Sequence, residues 1–385
     1  MSADSTRIRH WCIALRAPRL GRADILAAID AGGISKLFSN PSLPAAAKAY
    51  LNQPDLERLE ADLEWLSTPG HQLLTFDNPD YPPLLKRIPD PPVALWLSGD
   101  PLLLWQPQLA VVGSRNPTRG GLENARAFAA YLTQQGLLIT SGLADGVDAA
   151  AHEAALQEGS TIAVLGTGVD VIYPARNRQL AAQIATSGLL VSEFPPGTRA
   201  RPSHFPSRNR IISGLSLGTL VVEAGYRSGS LITARLSSEQ GREIFAIPGS
   251  IHNPMARGCH RLIRDGAQLV ETGKDVLQEL NAVAAELAGE LRQRLAAIEL
   301  PDNQQKPLSS QAVAPISGES TDPGPGLPDD PEYRQLWDCL SFDPQPVDRI
   351  IGCCGLTPQA VSSMLLMLEL RGMVETYSGG GFSRK

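Results

Sequence analysis

The sequence predicts an α/β protein built around a parallel sheet, with a small helical domain before it and a winged-helix module after it. Three observations predict this class. From Leu109 to about Leu280, short apolar runs alternate with amphipathic stretches, the pattern of strand–helix units that lay strands side by side in one direction. Those runs show no strict alternation of apolar and polar residues, as expected of strands covered on both faces. The 35 glycines and 31 prolines supply many tight connections, while aromatic residues make up only 5%, a composition unlike that of a fibre or a disordered chain.

Taken in order, residues 7 to about 70 read as short helices, because Ile25-Leu26-Ile29 and Leu56-Leu59-Leu63-Leu66 recur at helical spacing between Gly and Pro breaks. The Gly32-Gly33 turn between two helical patterns fits either a helix-hairpin-helix, whose turn amides bind phosphate backbones, or a helix pair that packs on a neighbour. Strands are expected at Leu109–Val112, Leu137–Thr140, Thr161–Leu165, Leu189–Ser192, Thr219–Val222, Glu243–Ile247 and Ala267–Val270. Each is followed by turn residues and usually by a helix. After a polar helix near Ala282–Ile298, the stretch Pro301–Pro328 is rich in Pro, Ser, Gln and Gly and reads as a flexible linker. Helical patterns at Tyr333–Leu340, Val347–Cys353 and Pro358–Arg371, then a hairpin formed by Met373–Tyr377, a glycine triplet and Phe382, match the order of a winged helix. The domains expected are therefore 1–72, 73–285 and 328–385, with 286–327 as linker.

Met1–Ala14 carries Arg7, Arg9 and His10 with no uninterrupted apolar run, so neither a secretory leader nor a membrane span is expected there and the protein is expected in the cytosol. The five cysteines, Cys12, Cys259, Cys339, Cys353 and Cys354, are odd in number and form no CxxC. Reduced, buried thiols are the expectation, with no zinc site. The formal charge is −6, yet Arg199 to Arg264 holds ten arginines against three glutamates. That stretch is an anion-binding surface set in an acidic protein.

The first strand ends in Val112-Gly113-Ser114-Arg115, and Asn116-Pro117-Thr118 leads into a helix. Gly113 would let amides approach an anion, Ser114 offers a hydroxyl, and Arg115 can clamp a phosphate bidentately. A strand must end in something, so this trio alone does not decide function. The second connection, Ser141-Gly142-Leu143-Ala144-Asp145-Gly146-Val147-Asp148, brings two glycines and two carboxylates to the same edge. Asp148 is expected to cap the next helix, Asp145 to orient Arg115, and His152 to be a surface or packing residue. Gly166-Thr167-Gly168 adds a third glycine-bearing loop. The densest cluster runs from Phe205 through Arg208-Asn209-Arg210 to Ser216, with Arg201 just upstream. Arg-Asn-Arg would also suit a solvated helix start, but an aromatic face beside cations is the combination single-stranded nucleic acid needs. Ser228-Gly229-Ser230 opens another helix and forms a backbone-amide nest. No Walker A signature or HExxH occurs in the sequence, which speaks against an ATPase and a zinc metalloprotease.

In this order, Gly113-Ser114-Arg115, Gly142 to Asp148, Phe205 to Ser216, Val222-Glu223-Ala224, Ser228 to Ala234 and Ala246-Ile247-Pro248-Gly249 resemble the DNA-processing protein A (Smf) family over roughly residues 75 to 280. The resemblance implies an extended Rossmann-like fold whose positive pocket holds single-stranded DNA, a sterile-alpha-motif-like module before it and often a winged helix after it. It also implies homodimers, no cofactor, and a role in natural transformation as a mediator that protects incoming DNA and loads the RecA recombinase. By position, Arg115 would grip phosphate, Arg208 and Arg210 would line the pocket and Phe205 would meet a base. The winged helix departs from a DNA reader: from Pro328 onward eight acidic residues face five basic ones, which favours a protein contact. A second, partial resemblance links Gly218-Thr219 and Glu223 to Rossmann-like phosphoribohydrolases that act on nucleotides. Those enzymes place Pro-Gly-Gly before the Gly-Thr, where this chain has Ser213-Gly214-Leu215-Ser216-Leu217.

Overall fold

The computed structural model describes residues 3–280 and, nearer the C terminus, 331–340, 345–354, 356, 361, 364, 365, 368, 374–377 and 381–384. The chain divides into two compact units, Met1–Leu300 and Pro301–Lys385.

The first unit opens with α1 (Ala3–Arg16), α2 (Arg22–Asp30), α3 (Ala45–Asn52) and α4 (Leu56–Ser67). Strands β1 (His71–Thr75) and β2 (Ala94–Gly99) follow, separated by the single turn α5 (Pro83–Lys86). Then strands and helices alternate: β3 (Gln108–Val112), α6 (Arg119–Gln134), β4 (Leu138–Ser141), α7 (Val147–Glu158), β5 (Thr161–Leu165), α8 (Arg178–Ser187), β6 (Leu189–Ser192), α9 (His204–Leu215), β7 (Gly218–Val221), α10 (Ser230–Glu239), β8 (Glu243–Ala246), α11 (Arg257–Arg264) and β9 (Gln268–Leu269). The sheet order is β1-β2-β6-β5-β4-β3-β7-β8-β9. All neighbours from β6 to β9 are parallel, which are the seven strands expected from sequence.

Two strands were not expected. β2 pairs antiparallel with both β1 and β6, extending the sheet beyond the parallel set. Both are short runs bordered by Pro-rich turns and neither leads into a crossover helix, so the strand–helix alternation that identified the others is missing here.

The doubly wound arrangement follows from residues that are apolar on both faces of the central strands. Leu109, Val111 and Ile139 pack beneath α6 and α7, whereas Ala110, Val112, Ile162 and Val164 lie under Ile211, Ile212 and Leu215 of α9 and Ala234 of α10. α6 shows how the local sequence sets an element. Thr118 caps it by accepting the Gly121 N–H at 3.0 Å. Ala125, Phe128, Ala129 and Leu132 form its buried face, and Gly136, at φ +86°, turns the chain out of it.

The N-terminal helices share one apolar cluster with the sheet: Trp11, Ile25, Leu37 and Leu59 pack with Trp96, Ala163 and Leu190. Arg16 donates two hydrogen bonds of 2.6 Å to buried Asp62, fixing α1 to α4. After Gly32-Gly33 the chain forms a 3-10 turn, Ile34–Ser39, where a second α-helix was expected.

In the second unit, α12 (Pro331–Cys339), β10 (Gln345–Pro346) and α13 (Val347–Cys354) precede a hairpin of β11 (Val374–Tyr377) and β12 (Gly381–Arg384). β10 joins the hairpin as a third strand against β12. Val361, Met364, Leu365 and Leu368 lie at helical spacing and pack with Leu336, Ile350 and Cys354, completing a winged helix. The cysteine expectation is corrected here. Cys339 and Cys353 form a disulfide, with Cα atoms 5.8 Å apart, while Cys12, Cys259 and Cys354 are free and buried. The packing of α12 on α13 brings together two residues 14 apart, a spacing that carries no disulfide signal in the sequence. The expected polar helix near 282–298 and the linker 286–327 lie outside the described residues, as does most of the expected helix 358–371.

Candidate nucleic-acid interface

The strand order reverses between β3 and β7, and in such sheets ligands bind outside the carboxyl ends of the strands at that point. A cavity of about 740 Å³ opens there. Its walls are the loop after β3 (Gly113 to Asn116), the start of α7 (Ala144, Asp148), the N-terminal half of α9 (Phe205, Arg208, Asn209), the loop into α10 (Arg227 to Ser230), Tyr173 and Met255.

At its mouth Arg115 is exposed, and among the described residues no carboxylate lies within ion-pair distance of it. Its guanidinium sits 5.9 Å from the centroid of the Phe205 ring, and Tyr173, half-exposed, lies 5.5 Å from the same ring at an interplanar angle of 42°. A cation and two aromatic faces thus share one wall, an arrangement that suits phosphate and base together.

The floor is built differently. Arg208 is buried, donates through Nη1 to the Val164 carbonyl, and leaves Nε without a partner among the described residues. Burial pulls its guanidinium down to about 10. Asp148, also buried, accepts the amides of Gly142 at 3.2 Å and Ala144 at 3.4 Å. Burial raises its carboxyl above the usual range, and the Arg208 charge opposes that rise. Asp148 therefore holds the loop before α7 and does not cap the helix; Gly146 occupies the N-cap position. Gly142 packs against the Arg208 guanidinium so closely that a Cβ would collide with it.

Of the residues read from sequence, Gly113, Ser114, Arg115, Phe205, Arg208, Asn209, Ser228, Gly229 and Ser230 line the cavity. Gly113 also makes room for Val147, whose Cγ2 would lie 2.6 Å from a Cβ there. Gly142 stands behind the floor. Arg201 is exposed and outside the lining. Arg210 is held between Glu193 and Asp90, donating at 2.5 and 2.9 Å, and is not among the residues that line the cavity. Asp145 pairs with Arg176 and not with Arg115. His152 is a packing residue: it is fully buried, 2.8 Å from Thr161 Oγ1, and burial pulls it down to about 3. Sequence reasoning missed Tyr173, Arg227 and Met255. Tyr173 follows the third glycine-bearing loop, and an aromatic residue in a loop at that edge was the available signal.

Two family models match: DNA recombination-mediator protein A over residues 72–281 and the DprA winged helix domain over residues 320–380. The Protein Smf of Escherichia coli is 41% identical over 336 residues, covering 87% of this chain and 83% of that one. The X-ray structure of DNA processing protein A from Streptococcus pneumoniae superposes with a TM-score of 0.64 at 39% identity, covering 70% of this chain and 97% of that chain. A DNA processing protein A from Helicobacter pylori, whose structure describes a single-stranded DNA binding mode, gives 0.50 at 31% identity, covering 55% and 96%.

The chain belongs to the DNA recombination-mediator protein A family.

Membership makes it a DNA-processing recombination mediator and does not favour the phosphoribohydrolase reading. Glu223, the residue on which that reading turned, is held by neutral donors. It accepts from the Thr118 backbone at 2.8 Å, the Thr118 hydroxyl at 2.7 Å and Asn253 Nδ2 at 3.2 Å. No described helix is long and apolar enough to cross a membrane.

Proposed function

We propose that the cavity at the β3/β7 crevice holds single-stranded DNA and that the protein is a non-enzymatic mediator that protects the strand and hands it to the RecA recombinase. The observation that carries this reading is Arg115: a cation without a carboxylate partner among the described residues, at the mouth of a strand-edge cavity and beside an aromatic ring. The amides at the start of α10 and the Ser228 and Ser230 hydroxyls, 2.6 Å apart, provide further phosphate partners. Phe205 and Tyr173 provide faces on which bases stack with little sequence preference. In this reading the segment 73–285 is the DNA-binding domain, the protein acts as a homodimer in the cytosol, and in transformable cells it serves competence. Support comes from the family assignment and from the H. pylori relative, which binds single-stranded DNA.

The test is equilibrium binding of a labelled single-stranded oligonucleotide across a salt series, with duplex DNA as control. Affinity should fall with log–log slope of about −0.7 per phosphate contact. Arg115→Ala should weaken binding by about tenfold or more and make the slope shallower by roughly one contact's worth. Salt-independent binding, or none, would sink the reading.

A further inference from the structure

At the crevice between the carboxyl ends of β3 and β7, the amino terminus of α6 meets a side chain from the loop after β7. In open α/β sheets the helix amino terminus at this place is where the phosphates of a nucleotide sit. α6 begins here and runs for 16 residues, so its first amides and its dipole present partial positive charge to whatever lies opposite.

What lies opposite is Glu223, 7% exposed. Its two carboxylate oxygens take the N–H and the hydroxyl proton of Thr118, at 2.8 and 2.7 Å, while the Thr118 hydroxyl accepts from the Gly121 N–H. The approach is close enough that a Cβ on Gly121 would lie 2.5 Å from the carboxylate. A side chain from the loop after β7 thus does what a bound phosphate does at such a terminus. A small cavity of about 130 Å³, walled by Gly120, Asn124, Pro248 and Gly249, adjoins the carboxylate.

The same carboxylate also ties down the wall of the main cavity. Asn253 donates to it and through its own Oδ1 accepts the Met255 N–H at 2.9 Å. The Met255 carbonyl accepts from Ala224 at 2.7 Å, and its sulfur receives the Ser114 hydroxyl at 3.6 Å. Three loops, 113–118, 223–225 and 249–256, are therefore joined through one buried charge, and the first carries Arg115.

We propose that Glu223 is a built-in anion: it fills the phosphate seat at the start of α6, sets the loop that presents Arg115, and keeps the phosphates of free nucleotides off this side of the crevice. Its role toward DNA is that of a positioning residue and rests on the single-stranded DNA reading above; its occupation of the seat does not.

Two measurements on the full chain test this. In an Arg115→Ala background, which removes one free cation of the main cavity, inorganic phosphate is titrated at constant ionic strength and the thermal midpoint is followed with Glu223 intact or replaced by Ala. The saturable rise in midpoint should be larger by about 2–4 °C without Glu223 than with it. A flat response in both, or an equal rise in both, overturns the seat. Glu223→Gln keeps the side-chain volume and one acceptor but not the charge. With Arg115 in place it should bind single-stranded DNA about fivefold more weakly, with the salt slope unchanged because the count of phosphate contacts is the same. Unchanged affinity, or a slope that becomes shallower, overturns the positioning role. If the parent binds no single-stranded DNA, the functional reading fails, and the phosphate titration still decides whether Glu223 fills the seat.

Discussion

Arg115 and Arg210 were both expected at the pocket, yet the structure gives them opposite circumstances. Arg115 is exposed at the cavity mouth and stacks near Phe205. Arg210 is consumed by Glu193 and Asp90 and adds no open donor to the cavity wall. Arg208 is a third case, buried in the floor with its charge balanced against Asp148. The difference teaches that a count of cations along a chain measures the capacity for anion binding, while the carboxylates that fold brings beside each cation decide how much of it remains available.

The sharpest way to break this comparison is Arg208→Ala. The substitution removes a buried side chain that donates to the Val164 carbonyl and the charge that acts on Asp148 through space, so the mutant should lose about 3 kcal/mol of stability, read from urea unfolding of the first unit's transition. A loss below about 1 kcal/mol would show that the floor does not depend on this charge. Next comes Phe205→Ala, which should cost about 1–3 kcal/mol of binding to single-stranded DNA while leaving binding to an abasic oligonucleotide unchanged. Equal losses on the two ligands would assign the ring to packing and not to stacking. The smallest effect is expected for Arg210→Ala. Its half-exposed ion pairs contribute about 1 kcal/mol to stability, and single-stranded DNA affinity should stay within about twofold of the parent. A loss as large as that of Arg115→Ala would erase the distinction drawn between them.

The parallel sheet was legible because its central strands are short, largely apolar runs that end in glycine-bearing loops and lead into helices, a pattern set by burial on both faces. β1 and β2 were illegible for the complementary reason: they join the sheet antiparallel, at an edge, through pairing that leaves no local period to read. Within the site, residues marked by glycine-rich strand ends, such as Gly113-Ser114-Arg115 and Ser228-Gly229-Ser230, were found because backbone geometry fixes where those loops sit. Tyr173 and Met255 were missed because they reach the cavity from loops whose course depends on tertiary packing. The pairings of Asp145 with Arg176 and of Arg210 with Glu193 and Asp90 were likewise unreadable, since they join residues 17 to 120 positions apart. The Cys339–Cys353 bond belongs to the same class of information.

The contact between Gly142 and Arg208 couples these two positions in size. A methyl group at 142 would occupy the space that the guanidinium fills, so residue 142 can grow only where the Arg208 side chain moves or is shortened, and either change alters the charge that acts on Asp148. A substitution at this glycine is therefore felt at three residues at once, although it alters only one codon.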